Sequence, residues 1–442
     1  MDTFVIDGGR RLKGRLTVSG SKNASLPIMA AALLSDQPLC LHDVPDLRDL
    51  TNMRGLLGEL GCEVQQEGNL TRLQVSDESA SHARYEIVRT MRASICILGP
   101  LLARRGRARI SMPGGCAIGD RPVDLHLRGL RLLGADIQLH GGDIIAQADE
   151  LTGTTIFLGG PSGSTVLGTA NVMSAATLAR GTTTIECAAC EPEIVNLAQT
   201  LNAMGARIEG AGTPRITIHG VRELGPAEVR IMPDRIEAGT YMLASAITNG
   251  QVTIENCPLD SLLAFLDRLD EIGVTVTRTD PSQPTDRCTV MVESSRRLNP
   301  VQVTTQPHPG FPTDLQAQMM ALLCLADGNS IITERIYEQR FLHVAELSRM
   351  GASLHRQGPT VVVSGVPKLV GAPVMASDLR ASACLVLAGL AAEGRTVVNR
   401  VYHLDRGYQR MEERLQRLGA AIERVDEVGV GAESSHPIAT PG

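Results

Sequence analysis

Apolar residues recur at helical spacing before six glycines that are spaced almost evenly along the chain. Ahead of Gly205, for example, Leu197, Leu201 and Met204 fall on one face of a helix. Glycine is an expected helix stop because it adopts the left-handed backbone conformation at little cost. A small or β-branched residue follows each glycine and begins a predicted strand. The six glycines are Gly61, Gly134, Gly205, Gly273, Gly351 and Gly419, at intervals of 73, 71, 68, 78 and 68 residues.

A second type of helix alternates with the first and is rich in Ala, Leu and Met. These helices are apolar nearly all round, which is typical of buried helices. Five of them are predicted to end at a glycine, with a β-branched strand residue four positions later, whereas the first copy, 26–34, lacks the glycine. The glycine and strand positions are Gly106 and Ile110, Gly181 and Ile185, Gly250 and Ile254, Gly328 and Ile332, and Gly394 and Val398.

The chain is therefore predicted to contain six units, each with one buried helix, one amphipathic helix and several strands. Units of about 70 residues exceed the usual solenoid period, whereas three of them make a domain of roughly 200 residues. We predict an α/β (α+β) fold with two similar domains of three pseudo-symmetric repeats each. Buried helices lie inside each domain, and segment 427–442 is expected to be a disordered tail.

Composition narrows the classes of function. The 442 residues carry a net charge of −6, with 2% aromatic residues and no Trp, which argues against a nucleic-acid partner. We expect no membrane span, because no apolar run reaches roughly 18 residues, and no secretory signal at the N-terminus. Ten scattered cysteines favour reduced thiols and a cytoplasmic location. Cys187 and Cys190 lack a second ligand pair, so packed thiols are expected there rather than a metal site.

One loop stands out chemically. Residues 112–122 read Met-Pro-Gly-Gly-Cys-Ala-Ile-Gly-Asp-Arg-Pro, and their glycines and prolines exclude a regular helix or strand. Cys116 lies at the centre, and the guanidinium of Arg121 five residues later would lower the pKa of its thiol. The loop could be a lid that closes over an active site, or a surface turn with an idle cysteine.

Polar residues gather where the buried helices begin. Helix N-termini favour anions, so the cations Lys22, Arg92 and Arg380 at these positions predict a negatively charged ligand. If the helices of each domain run parallel, two opposed sets of N-termini would form a cleft for a multiply charged anion. For the uncharged and acidic residues at these helix starts, capping of the helix N-terminus is the alternative to ligand binding. The capping candidates are Asp234, Thr313 and Asp378.

Only three lysines occur, at positions 13, 22 and 368, against 39 arginines. Retention of Lys22 could reflect a need for a compact ammonium, or chance.

These motifs together resemble those of the UDP-N-acetylglucosamine 1-carboxyvinyltransferase family, the enolpyruvyl transferases of peptidoglycan synthesis. The resemblance covers about residues 1–425. The matching segments are 21–24, 90–94, 113–125, 191–194, 233–237, 311–314, 378–382 and 405–408.

The resemblance implies a pair of inverted (inside-out) α/β barrels, one formed by 1–21 with 233–426 and the other by 22–232, which carries lid 112–122. It implies transfer of the enolpyruvyl group of phosphoenolpyruvate to the 3′-hydroxyl of UDP-N-acetylglucosamine, through a tetrahedral ketal and with release of phosphate. This is the first committed step of peptidoglycan synthesis and so bears on cell shape and division. The family uses no metal or organic cofactor, and a monomer is expected.

The resemblance also implies roles for individual residues. Cys116, Asp314, Lys22 and Arg406 would be catalytic, with Asp314 as general base and Cys116 as the lid thiol, which the antibiotic fosfomycin alkylates. Phosphoenolpyruvate would bind to Lys22, Asn23, Arg121 and Arg406. The sugar nucleotide would bind to Asn23, Arg92, Arg121, Pro122, Val123, Asp124, Leu125, Thr165, Val166, Asp314 and Ile336. Ion-pair partners between the domains, in a structural role, would be Glu191, Glu193, Asp234, Arg235, Glu237, Arg340, Asp378 and Arg380.

Two positions depart from the family pattern. Cys96 stands where a bulkier residue is expected near the cleft. Segment 160–169 is longer and richer in glycine than the family's uridine loop, and it lacks a lysine expected there.

Two alternative functions remain. A sister enzyme acting on shikimate 3-phosphate shares the architecture, but its relatives lack the cysteine lid. A non-catalytic paralogue that binds a sugar nucleotide is disfavoured by the intact set Lys22, Cys116, Asp314 and Arg406.

Overall fold

The computed structural model describes residues 2–112, 123–294 and 297–425, which form helices surrounded by sheets. The strands are β1 Thr3–Asp7, β2 Lys13–Thr17, β3 Leu39–His42, β4 Cys62–Glu67, β5 Leu70–Val75, β6 His82–Ala83, β7 Arg107–Ser111, β8 Asp136–His140, β9 Asp143–Gln147, β10 Thr155–Phe157, β11 Thr182–Glu186, β12 Arg207–Glu209, β13 Arg215–His219, β14 Ala227–Arg230, β15 Gln251–Cys257, β16 Val274–Arg278, β17 Cys288–Ser294, β18 Gln302–Thr304, β19 Asn329–Thr333, β20 Ser353–Gln357, β21 Thr360–Ser364, β22 Pro373–Met375, β23 Arg395–Asn399 and β24 Ala421–Val425. The helices are α1 Lys22–Ala31, α2 Arg48–Glu59, α3 Tyr85–Val88, α4 Leu98–Arg105, α5 Asp124–Leu132, α6 Val166–Ala176, α7 Pro192–Ala203, α8 Arg235–Ile247, α9 Leu263–Ile272, α10 Gln316–Leu323, α11 His343–Arg349, α12 Leu379–Ala391 and α13 Met411–Arg417.

Six four-stranded sheets repeat one topology within the described residues. In each sheet one edge strand runs parallel to its neighbour, and the two remaining strand pairs are antiparallel. The sheet orders are β14-β3-β5-β4, β6-β7-β9-β8, β10-β11-β13-β12, β16-β17-β15-β2, β18-β19-β21-β20 and β22-β23-β1-β24. The predicted α/β fold with six pseudo-symmetric units is confirmed.

The buried helices form the centre of each half of the molecule. In what we call the first half, α1, α4 and α6 pack together inside a core drawn from 24–231. In the second half, α8, α10 and α12 pack together inside a core drawn from 4–18 and 236–422. Short 3-10 segments, Arg92–Ile97 and Thr313–Leu315, lead into α4 and α10.

The predicted glycines take the left-handed conformation with one exception, although buried helices α6, α10 and α12 end three to five residues before theirs. All six glycines after the amphipathic helices have positive φ, between 78° and 106°. After the buried helices, Gly250 does not, because the left-handed residue there is Asn249 with φ 50°. Gly250 is required for another reason: a Cβ at this position would lie 2.5 Å from the carbonyl oxygen of Leu12.

The chain passes between the two halves twice, and the two crossings lie side by side. Strands β1 and β2 belong to second-half sheets, although they precede the whole first half in sequence. Ser21 N donates to Met232 O at 2.7 Å, and Asp234 N donates to Ser19 O at 2.9 Å. Gly20 fits tightly here, since a Cβ would lie 1.9 Å from Asp43 O. The starts of α1 and α8 are therefore neighbours, which determines where the candidate site forms.

Candidate functional site

The starts of α1, α8, α10 and α12 lie close together where the two halves join. Asp234 caps α8 by accepting from Ile236 N and Glu237 N, both at 2.9 Å, and its second oxygen accepts from Lys22 N at 3.1 Å. Asp378 caps α12 by accepting from Arg380 N at 2.9 Å and from Ala381 N. The capping prediction is thus confirmed for these two aspartates.

Thr313 does not cap its helix, contrary to the sequence prediction. Pro312 occupies the position before the 3-10 turn, and the Thr313 hydroxyl instead donates to Glu334 Oε2 at 2.8 Å. The presence of a buried carboxylate nearby explains the difference, because it competes for the hydroxyl.

Two predicted phosphoenolpyruvate ligands meet at a carboxylate that sequence analysis missed. Lys22 Nζ lies 2.7 Å from Asp49 Oδ2, and Arg406 Nε lies 2.9 Å from Asp49 Oδ1. Asp49 is 2% exposed on the inner face of α2. The only signal in the sequence was an aspartate beside Leu50 and Met53 on the apolar face of an amphipathic helix.

The charge state of this cluster follows from its surroundings. Burial lowers the pKa of Lys22 below its ordinary value, and Arg406 adds to this, while Asp49 opposes it. Burial acts to raise the pKa of Asp49, but the charges of Lys22 and Arg406 outweigh it and hold that pKa below its usual range. Two cations share one carboxylate, so the cluster keeps an excess of positive charge suited to an anionic ligand.

Asp314 lies between two arginines. Its Oδ1 accepts from Arg340 Nη1 at 2.8 Å, and its Oδ2 accepts from Arg380 Nη2 at 2.9 Å. Burial opposes ionisation, but the two guanidinium groups outweigh it and hold the pKa of Asp314 well below its usual range. Asp314 is therefore a carboxylate across the physiological pH range, and both of its oxygens are engaged.

Glu334 organises the adjacent turn, and sequence analysis missed it as well. The residue is fully buried, and its Oε1 accepts from Thr305 Oγ1 and Ile336 N, both at 2.7 Å. Tyr337 N donates to the same oxygen at 3.0 Å. Through Thr313, whose hydroxyl also accepts from Arg340 Nη1 at 2.9 Å, Glu334 is linked to the arginine that holds Asp314.

A cavity of about 380 Å³, which we call the inter-half cavity, lies beside this turn. Ile336, a predicted nucleotide contact, is in its wall. Gly163, next to Ser162 of the opposite wall, approaches the second half, since a Cβ there would lie 3.3 Å from Pro307 Cγ. The lining residues are Pro161, Ser162, Thr305, Gln306, Pro307, Arg335 and Ile336.

Other predicted nucleotide contacts lie near this cavity. Leu125, in the first turn of α5 after Val123 and Asp124, packs over Gly160, where a Cβ would lie 3.0 Å from Leu125 Cδ1. Thr165 caps α6 by accepting from Gly168 N at 3.3 Å, and Val166 begins that helix.

Some of the remaining predicted site residues lie in the described part of the chain, and others lie outside it. Asn23 follows Lys22 in α1, and Arg92 begins the 3-10 segment before α4. Arg92 lies close enough to His126 to assist burial in lowering the pKa of that imidazole to about 3. Cys116, Arg121 and Pro122, with the rest of the predicted lid from 113 onward, lie outside the described residues, as does the predicted tail 427–442.

The predicted ion pairs are partly realised. Arg235 pairs with Glu193 between the halves at 3.0 Å. Glu237 pairs with Arg414 at 2.8 Å within the second half, as Arg340 and Arg380 do with Asp314, so these pairs do not join the halves. Within the described ranges Asp234, Asp378 and Glu191 form no ion pair. The two aspartates are helix caps, and Glu191 accepts from His308 N at 3.3 Å while burial raises its pKa.

Three of the cysteines discussed above lie within the described residues as free thiols. Cys96 is buried in the first-half core, and burial raises the pKa of its thiol to about 12. Cys187 and Cys190 are neighbouring half-buried free thiols. No group of three potential metal ligands occurs in the part of the chain that the structure describes. None of the helices in that part is long and apolar enough to cross a membrane.

Comparison with known proteins agrees with this geometry. The family model of EPSP synthase (3-phosphoshikimate 1-carboxyvinyltransferase) matches residues 6–415. The chain belongs to the EPSP synthase family. Its fold matches that of the enolpyruvyl transferase NikO from Streptomyces tendae, with a TM-score of 0.86 and 27% identity over 96% of this chain and 99% of that one. EPSP synthase from Acinetobacter baumannii shares the fold at a TM-score of 0.76 and 18% identity, over 96% and 100% of the two chains.

Within the EPSP synthase family, the more similar relatives carry a more specific name. A UDP-N-acetylglucosamine 1-carboxyvinyltransferase from Desulfosudis oleivorans is 52% identical over 96% of this chain and all of that protein. An enzyme of the same name from Myxococcus xanthus is 52% identical over 96% of this chain and 99% of that protein. Another, from Dinoroseobacter shibae, is 53% identical over 97% of this chain and 100% of that protein. An enzyme of the enolpyruvyl transferase type is therefore established.

Proposed function

We propose that this enzyme transfers the enolpyruvyl group of phosphoenolpyruvate to the 3′-hydroxyl of UDP-N-acetylglucosamine and releases phosphate. The observation that carries the proposal is the paired arrangement of Lys22 and Arg406 on Asp49, together with Arg380, whose charge acts on Lys22 and which bonds to the carboxylate of Asp314. Lys22 and Arg406 form a cationic cluster for a phosphate ester that also carries a carboxylate. Asp314 is an acceptor for a hydroxyl proton. The naming of relatives at about half identity favours UDP-N-acetylglucosamine over shikimate 3-phosphate as acceptor.

The chemistry requires addition followed by elimination. The sugar oxygen forms a bond to C2 of phosphoenolpyruvate while its proton goes to a base and C3 gains a proton. The resulting ketal then loses phosphate from C2 and a proton from C3. Lys22 and Arg406 would hold the phosphate and carboxylate oxygens through charge-assisted hydrogen bonds, which are stronger than neutral ones. Asn23 and Arg121 would complete this site.

Asp314 would accept the proton of the sugar hydroxyl. A carboxylate that two guanidinium groups keep so acidic is a weak base, because both pairs stabilise its ionised form. Exchange of one arginine contact for the sugar hydroxyl would raise its basicity at the moment of reaction. Cys116, which follows β7 in the sequence, would serve as the lid thiol and exchange protons with C3 of phosphoenolpyruvate.

The nucleotide would extend from Asp314 toward the inter-half cavity. We assign to its binding Asn23, Arg92, Arg121, Pro122, Val123, Asp124, Leu125, Thr165, Val166, Asp314 and Ile336. Binding between residues of both halves would exclude water from the reacting atoms.

Broader consequences follow from the same proposal. We expect two domains, 1–21 with 233–426 and 22–232, since the two hydrophobic cores divide along these lines. We also expect a cytoplasmic monomer acting in cell-wall synthesis, and thereby in cell shape and division.

A coupled assay tests the proposal. Purified enzyme should release phosphate from phosphoenolpyruvate only when UDP-N-acetylglucosamine is present. Equal release without the sugar nucleotide would contradict it.

Incubation with fosfomycin, an epoxide, should add one molecule to Cys116 in an intact-mass measurement, and the C116S variant should gain none. An unmodified wild-type mass would contradict the lid-thiol role.

A further inference from the structure

The inter-half cavity has one charged side chain among its described lining residues, that of Arg335. Its neighbour in sequence, Glu334, is fully buried and turned toward Thr305 and Thr313, so none of the lining residues that the structure describes offers a carboxylate to neutralise the guanidinium. The cavity wall therefore carries a net positive charge. An unneutralised cation in a concave site attracts anions.

Arg335 differs from the other arginines of this region in having no partner for its side chain among the described residues. Arg340 is engaged with Asp314 and Thr313, and Arg356 with Gln339. For Arg335 the structure records only a backbone contact, its N donating to Thr305 Oγ1 at 2.8 Å. An exposed, unpaired guanidinium can accept a ligand without first losing an existing ion pair.

The backbone beneath Arg335 is held firmly. The residues on both sides of it are engaged, since Glu334 is buried and Ile336 N donates to Glu334 Oε1 at 2.7 Å. Such fixed geometry reduces the entropy that is lost when a ligand binds.

Among the described residues, the opposite wall supplies hydroxyl and backbone groups but no cation. Ser162 and Pro161 line it, and segment 160–169 contains no lysine or arginine. Among these lining residues, the positive charge for a diphosphate group between the walls therefore comes from Arg335 of the second half. A cavity of about 380 Å³ is at the small end of ligand pockets and suits part of a nucleotide rather than the whole.

We propose that Arg335 binds the diphosphate of the nucleotide sugar and supplies the cation that segment 160–169 lacks. The inference rests on the proposed function, because it takes the ligand to be a nucleoside diphosphate sugar. The planar guanidinium can contact two phosphate oxygens at once, with Ser162 as a second donor from the first half.

Binding measured without catalysis tests this directly. Isothermal titration of wild type and R335Q with UDP, and separately with uridine, isolates the diphosphate contact. We expect R335Q to bind UDP about tenfold or more weakly, as when a hydrogen bond to a charged group is lost, and uridine with unchanged affinity. R335K should recover part of the loss, because it restores the charge but not the two-point contact. The control R207Q, at an exposed arginine on β12 outside the cavity, should bind UDP like wild type.

Steady-state kinetics provide the second readout. R335Q should raise KM for UDP-N-acetylglucosamine and leave kcat and KM for phosphoenolpyruvate unchanged. Equal UDP affinity in R335Q and wild type, with both proteins folded by circular dichroism, would overturn the assignment of Arg335 alone. Failure of the wild type to bind UDP or UDP-N-acetylglucosamine would overturn the proposed function and this inference together.

Discussion

Two carboxylates, the buried Asp49 and the half-buried Asp314, are each shared by two cations and define the candidate site at the scale of single residues. Asp49 joins Lys22 to Arg406, and Asp314 joins Arg340 to Arg380. Removal of one member of a buried pair costs about 3–5 kcal/mol, because the remaining charge stays uncompensated. For Asp314 the folded pKa lies below the unfolded value, so its stabilisation is present above that value and is lost as the pH falls through the folded pKa.

Replacement of Asp314 tests its role as the proton acceptor. D314N should lower kcat by about 10²–10⁴, the usual contribution of a positioned base, while KM for phosphoenolpyruvate stays within a few-fold of wild type. The control D327N alters an exposed carboxylate of the same half and should keep full activity. Thermal melting must show that D314N is folded. Wild-type kcat in folded D314N would contradict the assignment.

Replacement of Asp49 tests the charge state of Lys22. Asp49 opposes the lowering of the Lys22 pKa, so D49N should lower that pKa further. KM for phosphoenolpyruvate rises when Lys22 loses its proton, and in D49N this rise should begin at a lower pH than in wild type. The control D46N, at an exposed aspartate before α2, should keep the wild-type profile. Identical profiles for D49N and wild type would show that Lys22 does not act through its charge.

Sequence motifs were sufficient to propose which residues contact substrate, and insufficient to find the residues that position them. Lys22, Asp314 and Arg406 lie in motifs that resemble a known family. Asp49 was missed because its partner Arg406 is 357 positions away, and periodicity does not reveal contacts at that separation. Arg335 was missed because a lone arginine on a turn has no distinguishing pattern.

At the scale of elements, helix ends follow simple backbone rules. Gly351 ends α11 with φ 89°, and a Cβ added there would meet no atom within 4 Å, so strain alone opposes a side chain at this position. Gly55 lies inside α2, is exposed, and has equally open surroundings. The two glycines thus separate the cost of left-handed backbone from the cost of glycine in a helix.

Substitution of these two glycines by alanine should change the free energy of unfolding in opposite directions. G351A should lower the free energy of unfolding by about 1–2 kcal/mol, whereas G55A should raise it by about 0.5–1 kcal/mol. Denaturant unfolding of the two variants beside wild type measures both. Stabilisation by G351A would contradict the left-handed turn after α11.

The turn 334–337 is the element that connects the inter-half cavity to Asp314. E334Q removes the charge that three donors share at one oxygen, so the turn that carries Ile336 should loosen. We expect KM for UDP-N-acetylglucosamine to rise about tenfold and KM for phosphoenolpyruvate to change little. E338Q, at an exposed glutamate of the same segment, is the matched control. An equal change in both KM values would instead indicate general unfolding.

Element boundaries were predicted less well than element types. Strands β7, β11, β15, β19 and β23 contain the predicted β-branched residues, and glycine stops were correct at most positions. The buried helix α6 nevertheless ends at Ala176, five residues before Gly181, because irregular turns fill the interval. Tertiary contacts such as that of Thr313 with Glu334 also override local capping preference.

At the scale of the whole molecule, two similar halves meet along a pair of adjacent crossings. The sequence repeats predicted three units in each half, and the six matching sheets confirm them. Repeats could not predict that β1 and β2 belong to the second half, and that expectation came from the family resemblance. This interleaving brings Lys22, on α1, close to Arg406, near the opposite end of the chain.

The central claim is that this site joins an enol ester to a nucleotide sugar rather than to shikimate 3-phosphate. The most direct test offers both acceptors at equal concentration with phosphoenolpyruvate and identifies the products by mass spectrometry. The account predicts enolpyruvyl UDP-N-acetylglucosamine and one phosphate released for each product molecule. Enolpyruvylated shikimate 3-phosphate as the main product, or phosphate release with neither acceptor modified, would contradict it.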